Sequence, residues 1–281
     1  MTFATRFAPS STGPLHLGHA YSALLAYDLA QAAGGEFLLR IEDIDQSRSR
    51  PQWETQIYDD LHWLGLCWPQ PVMRQSDRLG QYRQTLGALI DLGLVYPCGC
   101  KRADIETAAG APQEGVPQFG PDGRIYPGTC RKRPLSDASP HDVLRLDMNK
   151  AINASELRTF CETGEAFAGA HPLDANTLLD AVGDIILVRR NMGSSYHLSV
   201  VVDDADQNIT HVVRGEDLFD ATQIHVLLQG LLGLPTPVYH HHRLIRDTTG
   251  KRLAKRDDAR AISLYRQQGA SPAEIRALVG L

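Results

Sequence analysis

The first forty residues constrain the fold more than any later stretch. Residues 2–7 (TFATRF) alternate enough to form a short strand, and residues 8–13 (APSSTG) are turn formers. From His19 onward, Tyr21, Leu24, Leu25, Leu29 and Ala32 recur at helical spacing, and Gly34-Gly35 closes the pattern where a helix cap is expected. Residues 37–41 (FLLRI) form an apolar run with one arginine, which fits a buried strand. Strand, turn, helix and strand in this order make a βαβ unit. A ligand site is expected outside the carboxyl ends of its strands, where residues 6–10 and 42–45 fall.

Downstream, residues 53–66 and 82–94 read as amphipathic helices. The texture then changes: from about 96 to 135 the chain holds Cys, Gly, Pro and basic residues with little periodicity, as an irregular insertion would. Strand-like runs resume at 143–148 and 184–189, and a second strand-rich unit is expected with strands at 196–202 and 209–213, a turn at 203–208 and a helix at about 221–232. The expected fold is α/β: a Rossmann-like nucleotide-binding domain split by an insertion, with a small helical C-terminal segment. The divisions are 1–95 and 191–245 for its two halves, 96–190 for the insertion and 246–281 for a basic loop and short helical tail.

Composition narrows the class. No run approaches the roughly 18 to 20 apolar residues of a membrane span, and the N-terminus lacks a basic segment followed by an apolar one, so a cytoplasmic protein without membrane contact is expected. Five cysteines, at 67, 98, 100, 130 and 161, are too few and too odd for a disulfide framework. Cys67 and Cys161 are expected to pack as small apolar residues. The net charge of −5 carries no global signature of nucleic-acid binding, although it permits a local basic surface, for which residues 251–260 are the candidate. No protein partner is evident.

Residues 14–20, PLHLGHA, lie where the first turn enters the first helix. Unpaired backbone N–H groups and the helix dipole attract an anion there. His16 and His19, three residues apart, share a face, and Gly18 between them lets a flat ring or a phosphate approach the backbone. Metal is the weaker reading, because the HExxH arrangement of zinc proteases is absent. The cluster His240-His241-His242 is not a ligand set either, since consecutive strand residues point to alternate faces; it reads as a strand end near the nucleotide.

PLHLGH resembles the HIGH signature of class I aminoacyl-tRNA synthetases, and Arg252-Leu-Ala-Lys-Arg256 stands in the place of their KMSKS signature. The strings RFAPSSTGPLHLGH, LLRIEDID and VVRGEDL extend the likeness to the glutamyl and glutaminyl branch over nearly the whole chain. The resemblance implies that His16, Gly18 and His19, with Arg252 and Lys255, bind ATP, and that His16, His19 and Lys255 stabilise charge developing on the phosphates, with Mg2+ accompanying ATP. Arg252 replaces the first lysine of the signature and Ala254 its serine, while Lys251 offers a further charge. For L-glutamate, Arg6 and Arg214 are expected to clamp carboxylates, Glu42 to accept from the α-ammonium, and the Ala8 backbone, Ser10 and Tyr196 to complete the pocket.

Cys98-Gly-Cys100 and Cys130 supply three thiolates, and tetrahedral zinc needs one more ligand. Zinc-bearing members of the family use C-x-C followed by Y-x3-C, which Tyr126 and Cys130 match; His141 or water are the alternatives to Tyr126. One structural zinc per chain is expected. Full glutamyl- and glutaminyl-tRNA synthetases also carry a large anticodon-reading region, whereas this sequence stops about 25 residues after the KMSKS-like loop. That length points to a short branch of the family that attaches glutamate to the queuosine base in the anticodon loop of tRNA(Asp). A shortened synthetase charging the 3′ end, or a synthetase-like protein that binds without catalysis, are the alternatives.

Overall fold

A computed structural model describes residues 2–109, 117–246 and 260–281. The first unit runs β1 (Ala4–Phe7), α1 (Leu17–Ala32), β2 (Glu36–Ile41), α2 (Pro51–Trp63), β3 (Met73–Arg74) and α3 (Leu79–Asp91). Strands β1, β2 and β3 are parallel neighbours in that order, so the opening is the expected βαβ unit. The helix α1 is bound to β1 through Thr5 Oγ1, which donates to the Ala26 carbonyl at 2.9 Å.

The middle of the chain is more regular than its composition implies. It holds β4 (Val95–Cys98), α4 (Arg102–Ala109), the short hairpin β5 (Phe119–Gly120) and β6 (Gly123–Arg124), β7 (Val143–Leu146), α5 (Met148–Ala154), β8 (Thr159–Glu162) and β9 (Gly169–Pro172). A turn of helix, α6 (Ala175–Thr177), and a π-helical turn (Leu178–Val182) lead to β10 (Ile186–Val188). Strands β10, β7 and β4 form a small antiparallel sheet. The hairpin β8–β9 instead joins β12 (Val238–His242), which is parallel to β11 (His211–Gly215). In turn β11 lies beside β1, where the Thr210 amide donates to the Ala4 carbonyl at 3.1 Å.

Residues 196–202 correct the sequence reading: they are not a strand but the body of helix α7 (Tyr196–Asp206). The run LSVVV favours strand by β-branching, a preference worth only about half a kcal/mol per residue. Capping and burial override it. Ser195 accepts from the Leu198 amide at the N-terminus. At the C-terminus Asn208 takes φ 53°, with its amide on the Ala205 carbonyl and the Ile209 amide on the Asp204 carbonyl, a Schellman closure. Cys67 and Cys161 also depart from expectation, since both are exposed. Strand β8 alternates, with Phe160 and Glu162 inward, so Cys161 faces out.

Helix α8 (Thr222–Leu231) packs against α7, and α9 (Ile262–Gln267) and α10 (Pro272–Val279) close the chain. One core joins α3, α7, α8 and β12; a second joins β1, α1, β2 and α2 with Ile245, Ile262, Ile275 and Val279. The helical tail is therefore part of the first unit's core, and Arg276 adds an ion pair with Asp28 of α1 at 2.7 Å.

Candidate active site

The head of α1 is built by its two histidines. His16 is the N-cap, and its Nδ1 accepts from the Gly18 amide at 3.1 Å, while Nδ1 of His19 accepts from the His16 amide at 3.1 Å. Acceptance at Nδ1 places a proton on Nε2 of each ring, so both imidazoles present a donor edge. The rings lie 3.8 Å apart. A side chain on Gly18 would meet His16 Cε1 at 3.0 Å, which explains the glycine: the His16 ring folds over the backbone there. Beyond the ring, Ala261 pairs with His16, and the Ile262 amide donates to the Leu15 carbonyl at 2.9 Å. The chain thus returns to the α1 N-terminus right after residues 247–259, which include Lys251, Arg252, Ala254 and Lys255 and lie outside the described residues.

At the carboxyl ends of β1 and β2 a cavity of about 470 Å³ is lined by Ser10, Thr12, Glu42, Asp45, Arg189 and Tyr196, among others. Ala8 and Ser10 follow β1 directly, and the Glu42 amide donates to the Pro9 carbonyl at 3.0 Å, which ties the two loops together. Tyr196 begins α7 and is the hydroxyl partner of Arg214 at 3.5 Å. Burial pushes the Glu42 carboxyl above its ordinary range, against the pull of Arg40 and Arg6.

Arg6 and Arg214 are both buried but are differently engaged. Arg6 grips Asp204 with two nitrogens, Nε at 2.9 Å and Nη2 at 3.2 Å. Arg40, fully buried, donates to Asp204 at 2.7 Å, to Gln207 at 2.9 Å and to Glu42 at 3.2 Å. The neighbouring Asp203 receives Arg78 at 2.7 Å, Gln75 at 2.9 Å and the Tyr82 hydroxyl at 2.8 Å. Burial alone would raise the Asp204 carboxyl, yet Arg6 and Arg40 outweigh it and hold it below the usual range. Arg214 meets no carboxylate among these contacts. Its Nε donates to His241 Nε2 at 3.0 Å, Nη1 to His225 Nδ1 at 3.1 Å, and Nη2 to Thr222 Oγ1 at 2.8 Å and the Leu218 carbonyl at 3.2 Å. Burial and then the Arg214 charge hold His225 well below the ordinary imidazole range, as its accepting role requires.

The sequence reading missed Arg40, Asp203, Asp204, His225 and His241. One signal was present: an arginine inside the buried run FLLRI demands a buried carboxylate. The triplet His240–His242 does lie on one strand with alternate facing. His241 Nδ1 pairs with Glu162, His242 contacts Ser22 of α1, and His240 meets Thr163.

The thiols converge as well. The ligand atoms of Cys98, Cys100 and Cys130 all lie within 4.8 Å of one another, the only such group of His, Cys, Asp and Glu among the described residues. The Tyr126 hydroxyl is 3.3 Å from the Cys98 sulfur and 3.4 Å from that of Cys100, and it accepts from the Cys130 amide at 2.9 Å. His141 is exposed and outside this group. Arg145 stacks over the Tyr126 ring at 3.9 Å, and Arg190 donates to the Gly99 and Cys100 carbonyls, which fixes the loop carrying the sulfurs.

Residues 2–281 match the family of tRNA synthetases class I (E and Q), catalytic domain. The glutamyl-Q tRNA(Asp) synthetase of Rhodobacter capsulatus is 63% identical over 280 residues, 99% of each chain. Its namesake from Nocardia farcinica is 40% identical, covering 98% of this chain and 83% of that one. The crystal structure of a glutamate tRNA ligase from Elizabethkingia meningosepticum, in complex with its amino acid, superposes with a TM-score of 0.76 at 27% identity. That match covers 99% of this chain and 60% of the ligase, so this chain spans less than two thirds of the solved enzyme. The chain belongs to the class I (E and Q) tRNA synthetases and is a ligase.

Proposed function

We propose that the chain activates L-glutamate with ATP and transfers the glutamyl group to the queuosine base in the anticodon loop of tRNA(Asp). The observation that carries the reading is the 63% identity over 280 residues to the Rhodobacter capsulatus protein, whose name, glutamyl-Q tRNA(Asp) synthetase, joins a glutamyl group, Q and tRNA(Asp). The site supports it: a cavity with Glu42 and Tyr196 on its walls, backed by Arg6 and Arg214, offers an ammonium acceptor beside carboxylate donors, as an amino diacid requires. In the first step the α-carboxylate of glutamate attacks the α-phosphorus of ATP and expels pyrophosphate. Donor edges of His16 and His19 face the phosphates, with Arg252 and Lys255 from the basic loop, and Mg2+ enters with ATP as part of the substrate. Glu42 holds the ammonium, Arg6 and Arg214 the carboxylates, with Tyr196, Ser10 and the Ala8 backbone. In the second step a hydroxyl of the queuosine cyclopentene ring attacks the acyl carbon of glutamyl-AMP, forming an ester and releasing AMP. The adenylate is already activated, so no protein nucleophile takes part.

The reading includes a structural zinc in the insertion about residues 96–190. A zinc at about 2.3 Å from each thiolate sets sulfurs about 3.8 Å apart. Cys100 and Cys130 lie 3.6 Å apart, and the Tyr126 hydroxyl, 3.3 Å from the Cys98 sulfur and 3.4 Å from that of Cys100, would supply the fourth ligand. Zinc there would cross-link β4 to the loop of Tyr126 and Cys130, where the local core consists of few residues.

Glutamate-dependent exchange of pyrophosphate with ATP, run without tRNA, tests activation, and labelled glutamate offered to tRNA from cells with and without queuosine tests the acceptor. Exchange together with labelling confined to the queuosine pool is expected. Equal labelling of both pools would give the 3′-end reading instead, and absence of exchange would leave a binding protein. Metal analysis should find zinc near one per chain, and a metal-free protein would remove the zinc site.

A further inference from the structure

Arg214 has five N–H groups, and the protein takes four of them at 2.8 to 3.2 Å; the fifth points to the Tyr196 hydroxyl at 3.5 Å, the longest contact of the set. Tyr196 lines the cavity that carries Glu42 and Ser10. In the proposed reading a substrate carboxylate meets Arg214 on that side. What aims this N–H is the arrangement of the acceptors on the other sides.

One of those acceptors begins a chain. His225 Nδ1 accepts a hydrogen bond from Arg214 at 3.1 Å, and His225 Nε2 lies 3.1 Å from His197 Nδ1. His197 Nε2 lies 3.4 Å from Asp122 Oδ1. A guanidinium only donates and a carboxylate only accepts, so the direction of every bond is forced. Arg214 donates to His225, whose Nε2–H donates to His197, whose Nε2–H donates to Asp122. Both rings are neutral and each tautomer is determined. A proton on Nδ1 of His225 would oppose the N–H of Arg214.

All four residues are buried or nearly so, and they span α7, α8, β11 and the turn of the β5–β6 hairpin. Asp122 is anchored independently of the histidines: it accepts from the Ile186 amide at 3.2 Å and from Arg189 at 3.2 Å. Arg189 in turn borders both the cavity with Glu42 and a second cavity lined by Cys100, Arg102, Arg124, Arg145 and Arg190. The far end of the chain is thus fixed to the unit that carries the cysteines.

We propose that His225 and His197 are positioning residues for glutamate: through a one-way donor chain ending on Asp122 they hold the Arg214 guanidinium in the orientation that meets the substrate carboxylate. This rests on the glutamate-binding reading of Arg214. Neither histidine touches substrate, and their effect passes through the arginine alone. The chain also makes the hairpin of the inserted unit a support of the amino-acid pocket.

Steady-state pyrophosphate exchange, with KM measured separately for glutamate and ATP, tests the proposal. His225→Leu removes the acceptor, and its KM for glutamate is expected to rise about tenfold or more, with kcat within about threefold, as the loss of a hydrogen bond to a charged group implies. The KM for ATP should not move. His225→Asn places an acceptor oxygen where Nδ1 lies and should recover most of the loss. A merely structural role would raise both KM values together and lower the melting temperature equally in the two variants, and that result would overturn the proposal. So would a glutamate KM unchanged in His225→Leu. Arg214→Lys is the control: if it leaves the glutamate KM unmoved, the binding reading of Arg214 fails, whereas a raised KM there beside an unmoved His225→Leu defeats the chain alone. Should His225→Leu not fold, Asp122→Asn carries the same test from the far end, with an expected rise of about threefold for glutamate only. An unmoved glutamate KM in that variant also overturns the proposal.

Discussion

Arg6 and Arg214 are buried to nearly the same extent, and the protein holds them by opposite chemistry. Arg6 is locked by the Asp204 carboxylate, which it shares with Arg40; Arg214 is surrounded by imidazole, hydroxyl and carbonyl acceptors. The first arrangement neutralises charge inside the fold, and the second orients a guanidinium with neutral acceptors that leave its charge unpaired by a carboxylate among the described residues. The difference teaches that two arginines of equal burial are not interchangeable parts of one clamp. In the proposed reading both meet substrate carboxylates, Arg6 from within a fixed ion pair with Asp204 and Arg214 without a carboxylate partner among its contacts.

Asp204→Ala breaks the first arrangement with the largest effect. It leaves Arg6 and Arg40 buried with one charge partner fewer, and uncompensated buried charge costs about 3–5 kcal/mol. Urea unfolding is expected to show a loss of that order, and glutamate-dependent exchange should vanish with it. Thr222→Val, on the other side, removes a neutral acceptor from Arg214 and should cost less, about 1.5–3 kcal/mol as for a hydrogen bond to a charged group. If the two variants lose equal stability, the two arginines are held alike and the comparison fails.

The contrast marks how far the sequence could be read. The βαβ opening, the helix head at His16 and His19, Glu42 after its strand, and the spacing of Cys98, Cys100 and Cys130 are local patterns, and each was visible as a string. Asp203 and Asp204 were assigned to a turn because LSVVV read as strand, so the carboxylates that hold Arg6, Arg40 and Arg78 were hidden on an unrecognised helix. Arg6 and its partner Asp204 are 198 residues apart, and His225 lies 28 residues from His197. Such pairs are made by the packing of elements, and no periodicity encodes them. The cavity cannot be reconstructed from spacing either, because Tyr196 reaches it from the start of α7 only once that segment is helical.

Asp60 supplies the case of a buried carboxylate held by no close ion pair among the described residues. It is buried at 2% exposure on α2, one carboxylate oxygen lacks a hydrogen bond, and burial pushes its carboxyl up to about 6, against the pull of the Arg266 charge and a Gln56 hydrogen bond. Because the folded value lies above the ordinary 3.8, the folded chain binds more protons between about pH 4 and 6, and stability falls as pH rises through that window. Asp60→Asn keeps the shape and removes the charge. It should gain on the order of 2 kcal/mol at pH 8 and almost nothing at pH 4, read by thermal unfolding at both values. An equal gain at both would show that Asp60 is not a strained carboxylate.

In the proposed reading Glu42 places the same physics in the service of binding. Its carboxyl is raised by burial despite Arg40 and Arg6, so ionised Glu42 costs the empty protein stability that an incoming ammonium restores. The sign follows as for Asp60: the contribution is lost as pH rises through the raised value. Glu42→Gln keeps an oxygen for Arg40 Nη2, at 3.2 Å from the present carboxylate, and should raise the stability of the free protein by roughly 0.5–1 kcal/mol near neutral pH. The same variant should lose most glutamate-dependent exchange and the thermal protection that glutamate gives. Opposite signs for stability and binding would place Glu42 with Arg214 as a group kept ready for the substrate. Losses in both would place it with Asp204, as part of the lattice of charges that holds Arg6 and Arg40.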